Sequence, residues 1–305
     1  MQSNWQGVFP AITTPFSENG RIDFDFFQEH VQTLLEAGVH GLVVCGTLGE
    51  ASTLSQVEKL DLIRHAKRMC RGRVPVLTGV AESSTADAQH FVQQAADAGA
   101  DGIMLLPPMQ YAPDARETEA YLRAVAEISP VPIMLYNNPV TYKTDLSPEM
   151  FAWLADEPKF VAIKESSDDV RRITDIRNRT GRRYRLFIGV DDLALEALAA
   201  GADGWVAGLV CAFPCETVAL YELARVGRFD EARELYRWFM PLLHLDASPK
   251  LVQNIKLAQA MVGLGSEAVR PPRLPLTGAE REQVRSIIEQ ALARRPDLSR
   301  WGFKP

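Results

Sequence analysis

The chain has 305 residues, of which 47% are hydrophobic and 24% charged, as expected for a globular protein with one large domain or a barrel with an appendage. Its formal net charge of −6 at pH 7 and its lack of a long apolar stretch give no indication of a nucleic-acid or membrane partner. Residues 1–5 lack the regions of a secretion signal, and the four cysteines have neither the number for a disulfide scaffold nor the spacing of a zinc site. We therefore expect a cytoplasmic protein that needs no metal.

A short phrase recurs three times between helix-like segments and apolar runs. It reads Ala37-Gly38-Val39-His40-Gly41 at its first occurrence and returns in similar form at 98–102 and 200–204. The first glycine suits a helix end with left-handed backbone, and the second lets a strand begin close to its neighbour. With the other apolar runs, the sequence predicts eight strands. They lie at 8–12, 42–45, 74–77, 103–106, 132–136, 160–163, 184–188 and 205–207.

Segments with helical periodicity fill the gaps between these strands. In residues 23–36, for example, Phe27, Val31 and Leu34 share one side of the predicted helix. Strands alternating with helices form a parallel sheet, and eight units over about 210 residues match the size of a (β/α)8 TIM barrel. A doubly wound open sheet is the alternative, but no Gly-x-Gly-x-x-Gly follows the first strand. We predict the barrel within residues 1–213.

Beyond the last predicted strand, the pattern changes to helices alone. Periodicity places them at 216–226, 229–245, 250–261 and 278–293, and prolines mark an irregular connection at 265–275. We expect residues 214–305 to form a C-terminal helical extension packed on the barrel.

Lys164 closes the apolar run of the sixth predicted strand and is followed by polar residues. An amine at the tip of a buried strand is partly desolvated, which lowers its pKa towards neutrality and favours attack on a carbonyl to form an imine. The alternative is a surface lysine that merely follows a strand. The residues at the ends of the other predicted strands distinguish between these two interpretations.

Several polar residues and glycines follow other predicted strands. The loops after the strands of a barrel converge on one mouth, so these residues should face Lys164. A glycine-flanked loop exposes N–H groups that hold a carboxylate, and Tyr136 offers a hydroxyl able to transfer a proton, although a tyrosine at a strand end also serves as a packing residue. An amine, a phenol and an anion cradle together suit a 2-oxo acid. The candidate substrate-binding residues are Gly46, Thr47, Leu48, Ser166, Ser167, Gly189 and Val206.

Three motifs carry a resemblance over nearly the whole chain: Gly46-Thr47-x-Gly49-Glu50, Tyr136-Asn137-x-Pro139 and Lys164-Glu165. They resemble those of the dihydrodipicolinate synthase and N-acetylneuraminate lyase family of class I Schiff-base lyases. The resemblance implies a barrel with a helical extension, a homotetramer, and catalysis without metal or organic cofactor. It also implies that Lys164 forms the imine, that Tyr136 relays protons, and that the amides and hydroxyl around Thr47 bind the substrate carboxylate.

This chain departs from the members of the family that make dihydrodipicolinate. Leu48 stands where they have a second threonine, so the proton relay through that pair is expected to be broken. Gln110 stands where they have a tyrosine that reaches a neighbouring subunit, although Tyr111 is adjacent. Thr141 replaces an arginine that holds a second carboxylate, and losing such a charge-assisted contact costs about 1.5 to 3 kcal/mol. We therefore expect a different substrate, unless Lys143 supplies the missing charge.

The stretches 161–169, 204–208 and 251–256 resemble the branch that deaminates 1-pyrroline-4-hydroxy-2-carboxylate in hydroxyproline breakdown. In that reaction the lysine opens the cyclic imine, the C4 hydroxyl leaves, and hydrolysis gives 2,5-dioxopentanoate and ammonia. Ser166 or Ser167 would position the leaving hydroxyl, or else cap a helix that starts near Asp168.

Three other functions remain open. The same enamine chemistry dehydrates 2-keto-3-deoxy sugar acids, and a related aldolase would release pyruvate. A non-catalytic binding protein on the same barrel is the third, since function resides in the site rather than in the fold. The joint presence of Lys164, Tyr136 and the Thr47 loop favours an enzyme.

Overall fold

A computed structural model of the chain describes residues 4–304. Eight parallel strands are ordered β1-β8-β7-β6-β5-β4-β3-β2, and a bridge between Ala11 and Val43 joins the first to the second and closes the sheet. The predicted (β/α)8 barrel is therefore confirmed. The strands are β1 (Gly7–Pro10), β2 (Leu42–Val44), β3 (Val76–Val80), β4 (Gly102–Leu105), β5 (Ile133–Asn137), β6 (Phe160–Glu165), β7 (Arg185–Ile188) and β8 (Gly204–Ala207).

Helices separate the strands and continue after the last one. Within residues 4–304, none of them is long and apolar enough to cross a membrane. The helices are α1 (Phe24–Glu36), α2 (Gln56–Cys70), α3 (Thr85–Asp97), α4 (Ala115–Ile128), α5 (Pro139–Tyr142), α6 (Pro148–Trp153), α7 (Arg171–Thr180), α8 (Ala194–Ala199), α9 (Pro214–Arg225), α10 (Phe229–Leu243), α11 (Leu251–Met261) and α12 (Gly278–Leu292).

The repeated glycine phrase makes the turns that the sequence predicts. Gly38 follows α1 with a φ of 89°, and the equivalent Gly201 has a φ of 98°, a left-handed conformation that side chains rarely adopt. At the second glycine, a Cβ on Gly41 would lie 2.4 Å from the Phe9 ring. Each turn thus needs its first glycine for backbone conformation and its second for space at the bottom of the barrel.

The helices after β8 have two different roles. α9 packs against β1 and β8 and so completes the outer ring of helices. α10, α11 and α12 pack mainly on one another and on α8 and α9. The extension therefore begins at α10, whereas the sequence places its start at residue 214. Periodicity alone does not reveal that the helix after the eighth strand closes the ring.

A buried ion pair joins this extension to the barrel. Lys256 of α11 donates to Glu50 Oε1 at 2.5 Å, to the Thr14 carbonyl at 2.8 Å and to the Ala268 carbonyl at 2.7 Å. Glu50 is fully buried and Lys256 is 2% exposed. Since Glu50 ends the loop that carries Thr47, the pair also anchors this part of the barrel mouth.

Removing the lysine should destabilise the fold strongly. Lys256→Met leaves the buried Glu50 carboxylate with only the more distant cation of Arg273, at 4.0 Å, and we expect the free energy of unfolding to fall by about 3 kcal/mol in chemical denaturation. Lys250→Met is the matched control, because Lys250 pairs with Glu280 on the surface and such pairs contribute at most about 1 kcal/mol. Equal losses in the two variants would contradict this role of Lys256.

Candidate active site

Lys164 lies inside the barrel at the carboxyl end of β6. The strand continues through Glu165, so Lys164 is its penultimate residue rather than the first residue after it. In the sheet, Lys164 is in register with Tyr136 of β5 and Phe187 of β7. Side chains in register on parallel strands point to the same face, which here is the interior that Phe187 shares with Phe9. The sheet register thus places Lys164 beside Tyr136.

The surroundings of Lys164 favour a neutral amine. The residue is only 7% exposed, and Nζ lies 4.0 Å from the centroid of the Tyr136 ring. Within residues 4–304, Nζ forms no hydrogen bond that would hold it as an ammonium. Burial lowers the pKa of Lys164, while negative charge at Tyr142, Asp246 and Asp191 acts to raise it. The net effect increases the fraction of amine able to attack a carbonyl.

Asn137 and Glu165, which follow Tyr136 and Lys164 in the motifs, hold two strands together. Asn137 Nδ2 donates to both oxygens of Glu165 at 3.1 and 3.2 Å, and Asn137 Oδ1 accepts from the Leu146 N–H at 2.8 Å. Both side chains are buried. This contact ties β5 to β6 directly beside the reactive pair, so it fixes the positions of the phenol and the amine.

The Tyr136 hydroxyl has polar neighbours despite its burial. It accepts a hydrogen bond from Asn138 Nδ2 at 3.2 Å. Burial raises the pKa of Tyr136, and the nearby hydroxyls of Ser166 and Tyr142 oppose this rise. A buried phenol that stays protonated and contacts other hydroxyls is suited to donate a proton and to recover it.

Tyr142 is a second phenol at the site, and the sequence analysis did not identify it. Its hydroxyl is hydrogen-bonded to the Thr47 hydroxyl, and its ring packs edge-on against Tyr136 with 5.9 Å between ring centroids. Burial raises the pKa of Tyr142 to about 12. Leu48 supplies no hydroxyl to Thr47, and the Thr47 hydroxyl is hydrogen-bonded to a phenol instead. The signal was the Asn138-Pro139 pair, which caps and starts a short helix and returns the chain to the mouth.

The loop of Gly46, Thr47 and Leu48 has the form of an anion cradle. Within the described chain, the backbone N–H groups of Thr47 and Leu48 donate to no protein acceptor. The loop is held by a bond from the Glu50 N–H to the Thr47 carbonyl at 3.1 Å and by left-handed backbone at Glu50 and Cys45. Two free N–H groups beside the Thr47 hydroxyl are the donors that a carboxylate requires.

Ser166, Ser167 and Gly189 line the other side of Lys164. The hydroxyls of Ser166 and Ser167 are buried and have no well-formed hydrogen bond among residues 4–304. α7 begins at Arg171 with Val170 at its N-cap, so neither serine caps it, and the capping alternative is wrong. A Cβ on Gly189 would lie 2.2 Å from Ser166 Oγ and 2.3 Å from Lys164 Cε.

Gly189 therefore leaves the space that Lys164 occupies. Gly189→Ala should lower kcat by about 100-fold, because displacing a reacting group by about 1 Å commonly has that effect. The fold should persist, since the φ of Gly189 lies outside the left-handed region. Steady-state kinetics and the melting temperature test this together. Full activity in Gly189→Ala would show that Lys164 is placed elsewhere.

Two aspartates complete the mouth. Asp191 accepts from Trp205 Nε1 at 2.8 Å and from the Leu209 N–H at 2.7 Å, and burial raises its pKa to about 6. Asp246, from the turn after α10, lies against Gly208, where a Cβ would stand 2.2 Å from Asp246 Oδ1. Burial and the charge of Asp191 raise the pKa of Asp246 well above its usual range. The Asp191 backbone N–H faces this carboxyl and opposes the rise in its pKa.

The remaining candidates lie farther out or serve packing. Val206 is buried on β8. Its side chain lies on the same strand face as Gly204, and this face points into the barrel. Thr141 is exposed, and Lys143 bonds through Nζ to the Val140 carbonyl at 2.7 Å, so the charge of Lys143 is held on the outside of the loop.

The loop after β4 carries the two residues compared with the subunit-bridging tyrosine of the synthases. Gln110 lies 3.4 Å from Ser83 Oγ through its amide nitrogen. Tyr111 is 56% exposed. Tyr111 therefore exposes an aromatic ring that a neighbouring molecule can contact.

A cavity of about 990 Å³ opens at the opposite, amino-terminal end of the barrel. Three of its four arginines bind protein acceptors: Arg183 donates to the Ala155 and Phe160 carbonyls, and Arg177 and Arg185 bind Asp203. The cavity lies at the end of the barrel away from Lys164. Nowhere in residues 4–304 do three or more His, Cys, Asp or Glu side chains form a group able to hold a metal ion.

Comparison with known proteins agrees with this geometry. The model of the Dihydrodipicolinate synthetase family matches residues 4–291. A 4-hydroxy-tetrahydrodipicolinate synthase of Methanoculleus marisnigri is 33% identical over 290 residues, which cover 93% of this chain and 98% of that protein. The protein of the same name in Sorangium cellulosum is 35% identical over 294 residues, covering 95% and 97%.

Solved structures give the same result. The chloride-inhibited dihydrodipicolinate synthase of Acinetobacter baumannii, complexed with pyruvate, matches with a TM-score of 0.90 and 29% identity, covering 94% of this chain and 98% of that one. The barrel, its lysine strand and the helical extension thus agree with the family match along almost the whole chain. This protein belongs to the Dihydrodipicolinate synthetase family.

Proposed function

We propose that Lys164 is the imine-forming residue of a Schiff-base lyase that acts on a 2-oxo acid or its cyclic imine. The observation that carries the proposal is a buried amine inside the mouth of the barrel, 4.0 Å from the centroid of the Tyr136 ring, with no hydrogen-bond acceptor among residues 4–304. The free N–H groups beside Thr47 would bind the carboxylate next to the carbonyl. The pyruvate bound to the synthase of Acinetobacter baumannii is such a 2-oxo acid.

The substrate that we favour is 1-pyrroline-4-hydroxy-2-carboxylate, in the breakdown of hydroxyproline. Its single carboxylate matches the single cradle, and Thr141 offers no cation for a second one. The carboxyls of Asp191 and Asp246 stand near Lys164, together with the buried Ser166 hydroxyl, which lies close to the Tyr136 hydroxyl. These groups suit a hydroxyl at the far end of the substrate, because carboxyls and a serine hydroxyl are hydrogen-bonding partners for it.

The proposed reaction proceeds through an enamine. Lys164 Nζ adds to C2, and the ring nitrogen leaves as an amine on C5. The iminium acidifies C3, and loss of its proton gives an enamine that expels the C4 hydroxyl as water. Proton shifts convert the C5 amine to an imine. Two waters then hydrolyse the two imines, releasing 2,5-dioxopentanoate, ammonia and free Lys164, so the net reaction consumes one water.

A second candidate is the activity printed in the names of the relatives, 4-hydroxy-tetrahydrodipicolinate synthase. It is favoured by identities of 33% and 35% over almost full length. Leu48, Gln110 and Thr141 all differ from the synthase pattern, which argues for deamination or dehydration instead. Dehydration of a 2-keto-3-deoxy sugar acid would use the same residues and is the third activity to be measured.

One assay separates these activities. The purified protein is given the hydroxypyrroline carboxylate, a 2-keto-3-deoxy sugar acid, or pyruvate with an aldehyde that bears a carboxylate, and kcat/KM is measured for each. We expect ammonia release from the first to exceed the other two rates by at least about tenfold, equivalent to about 1.4 kcal/mol. Ammonia release no faster than in Lys164→Ala would exclude the deaminase.

We also propose a homotetramer, as the family resemblance implies. The exposed aromatic ring of Tyr111 supports a contact through the loop after β4. Sedimentation of wild type and Tyr111→Ala tests it: we expect four copies in the wild type and dissociation in the variant. A wild-type monomer would exclude the tetramer.

A further inference from the structure

We propose that Tyr142 relays protons between Tyr136 and Thr47, so that one chain supplies a continuous path of hydroxyls to the reacting carbon. The proposal rests on the proposed function, because it assigns a route to the protons that imine chemistry at Lys164 must move. It concerns a residue that lies outside the three sequence motifs.

The positions of the two phenols are set by one residue. Asn138 donates through Nδ2 to the Tyr136 hydroxyl at 3.2 Å, and its carbonyl accepts from the Tyr142 N–H at 2.9 Å. Asn138 Oδ1 also caps α5 by accepting from the Thr141 N–H at 2.9 Å. Tyr142 is therefore fixed at the end of a capped helical turn rather than on a free loop.

The hydroxyl of Tyr142 has partners on both sides. On one side it is hydrogen-bonded to the Thr47 hydroxyl. On the other, its ring packs edge-on against the Tyr136 ring with 5.9 Å between centroids, and the Tyr142 hydroxyl opposes the rise in the pKa of Tyr136. The order Tyr136, Tyr142, Thr47 therefore connects the phenol that lies against Lys164 with the loop that would hold the substrate carboxylate.

A packing role does not account for these contacts. The ring of Tyr142 could pack edge-on against Tyr136 equally well as a phenylalanine, since the ring contact does not involve the hydroxyl. The oxygen is the part that reaches Thr47. Burial keeps this phenol protonated at neutral pH, with a pKa of about 12, so it transfers protons without holding a charge.

The proposed transfer is balanced at every hydroxyl. When Nζ has added to C2 of the cyclic imine, Tyr136 gives a proton to the ring nitrogen, which leaves as the C5 amine. With an open-chain 2-oxo acid, Tyr136 protonates the hydroxyl on C2 instead, and water departs. Tyr136 takes a proton from Tyr142, Tyr142 takes one from Thr47, and Thr47 regains one from water at the mouth. In the reverse sense, the same path removes a proton from the water that hydrolyses the imine. No cofactor is needed, and each hydroxyl returns to its starting state.

The decisive experiment is a double-mutant cycle with Tyr142→Phe and Thr47→Val, measured with whichever substrate the wild type turns over. We expect each single change to lower kcat by about 100-fold, since relayed acid-base catalysis typically contributes 10²- to 10⁴-fold. KM should change little in Tyr142→Phe and rise in Thr47→Val, because the Thr47 hydroxyl also faces the substrate carboxylate. The double variant should be no slower than the slower single one, because both changes interrupt one path. Thr47→Ser, which keeps the hydroxyl, should retain most of the activity.

The control is Tyr221→Phe, which removes a phenol hydroxyl that bonds to the Asp203 carbonyl, away from the site. It should leave kcat unchanged. Prolonged borohydride trapping should still label Lys164 in Tyr142→Phe, because the imine forms slowly rather than not at all. Labelling with an unchanged kcat, or additive losses in the double variant, would overturn the relay alone. Absence of labelling in the wild type would overturn the proposed function and the relay together.

Discussion

Lys164→Ala is expected to abolish turnover, with kcat reduced by at least about 1000-fold, since no other group at the mouth forms an imine. The variant should fold, because Lys164 donates no hydrogen bond within residues 4–304 and loses only burial of its methylene chain. Circular dichroism and thermal melting check the fold, and single-turnover kinetics check the chemistry. Retained activity in the folded variant would refute the imine mechanism.

Lys164→Arg is the matched control, because it keeps a positive charge but has no nucleophilic amine at neutral pH. It should be as inactive as Lys164→Ala. In the wild type, the fraction of neutral Lys164 rises with pH, and its lowered pKa means that the midpoint of this rise lies below the usual value of 10.5. Imine formation should therefore reach its plateau at a pH lower than that of a free lysine amine. An active Lys164→Arg variant would show that charge, and not attack by Nζ, supports the reaction.

Tyr136→Phe should lower kcat by about 100- to 10,000-fold, the range typical of a lost general acid-base group. The ring that lies against Lys164 is kept, so the loss reports on the hydroxyl and not on the packing of the amine. KM should change little. Rapid-quench measurement of imine formation would locate the loss in the steps that add or remove water.

Asn138→Ala provides the comparison for this variant, because it keeps the Tyr136 hydroxyl but removes the amide that donates to it. We expect a smaller loss than in Tyr136→Phe, since the phenol remains but is less well positioned. Equal rates in Tyr136→Phe and wild type would show that protons reach the reacting carbon by another route.

The fold was largely predictable from the sequence because its turns have local requirements. Gly38 and Gly41 are needed for a backbone conformation and a close approach that other residues do not allow, and the same phrase marks two further strands. The start of the extension was less predictable. Whether a helix such as α9 packs on the sheet or beside it depends on contacts between distant segments, which periodicity does not record.

The site was predictable where its residues end strands, as for Tyr136 and Lys164. Tyr142 was missed because it follows a short helix rather than a strand, and only the capping pair Asn138-Pro139 signals that the chain returns. Asp246 was missed because it belongs to the turn after α10 and reaches the mouth only through packing of the extension. The sequence shows that Leu48 lacks the hydroxyl of a threonine. It does not show that the Thr47 hydroxyl is hydrogen-bonded to Tyr142 instead.

The most direct test of the central claim is the mass of the protein after borohydride reduction with 1-pyrroline-4-hydroxy-2-carboxylate, followed by peptide mapping. We predict one stoichiometric adduct on Lys164 in the wild type and none in Lys164→Ala. An adduct on a different lysine, or no adduct with this substrate or with any 2-oxo acid, would contradict the assignment of Lys164 as the imine-forming residue.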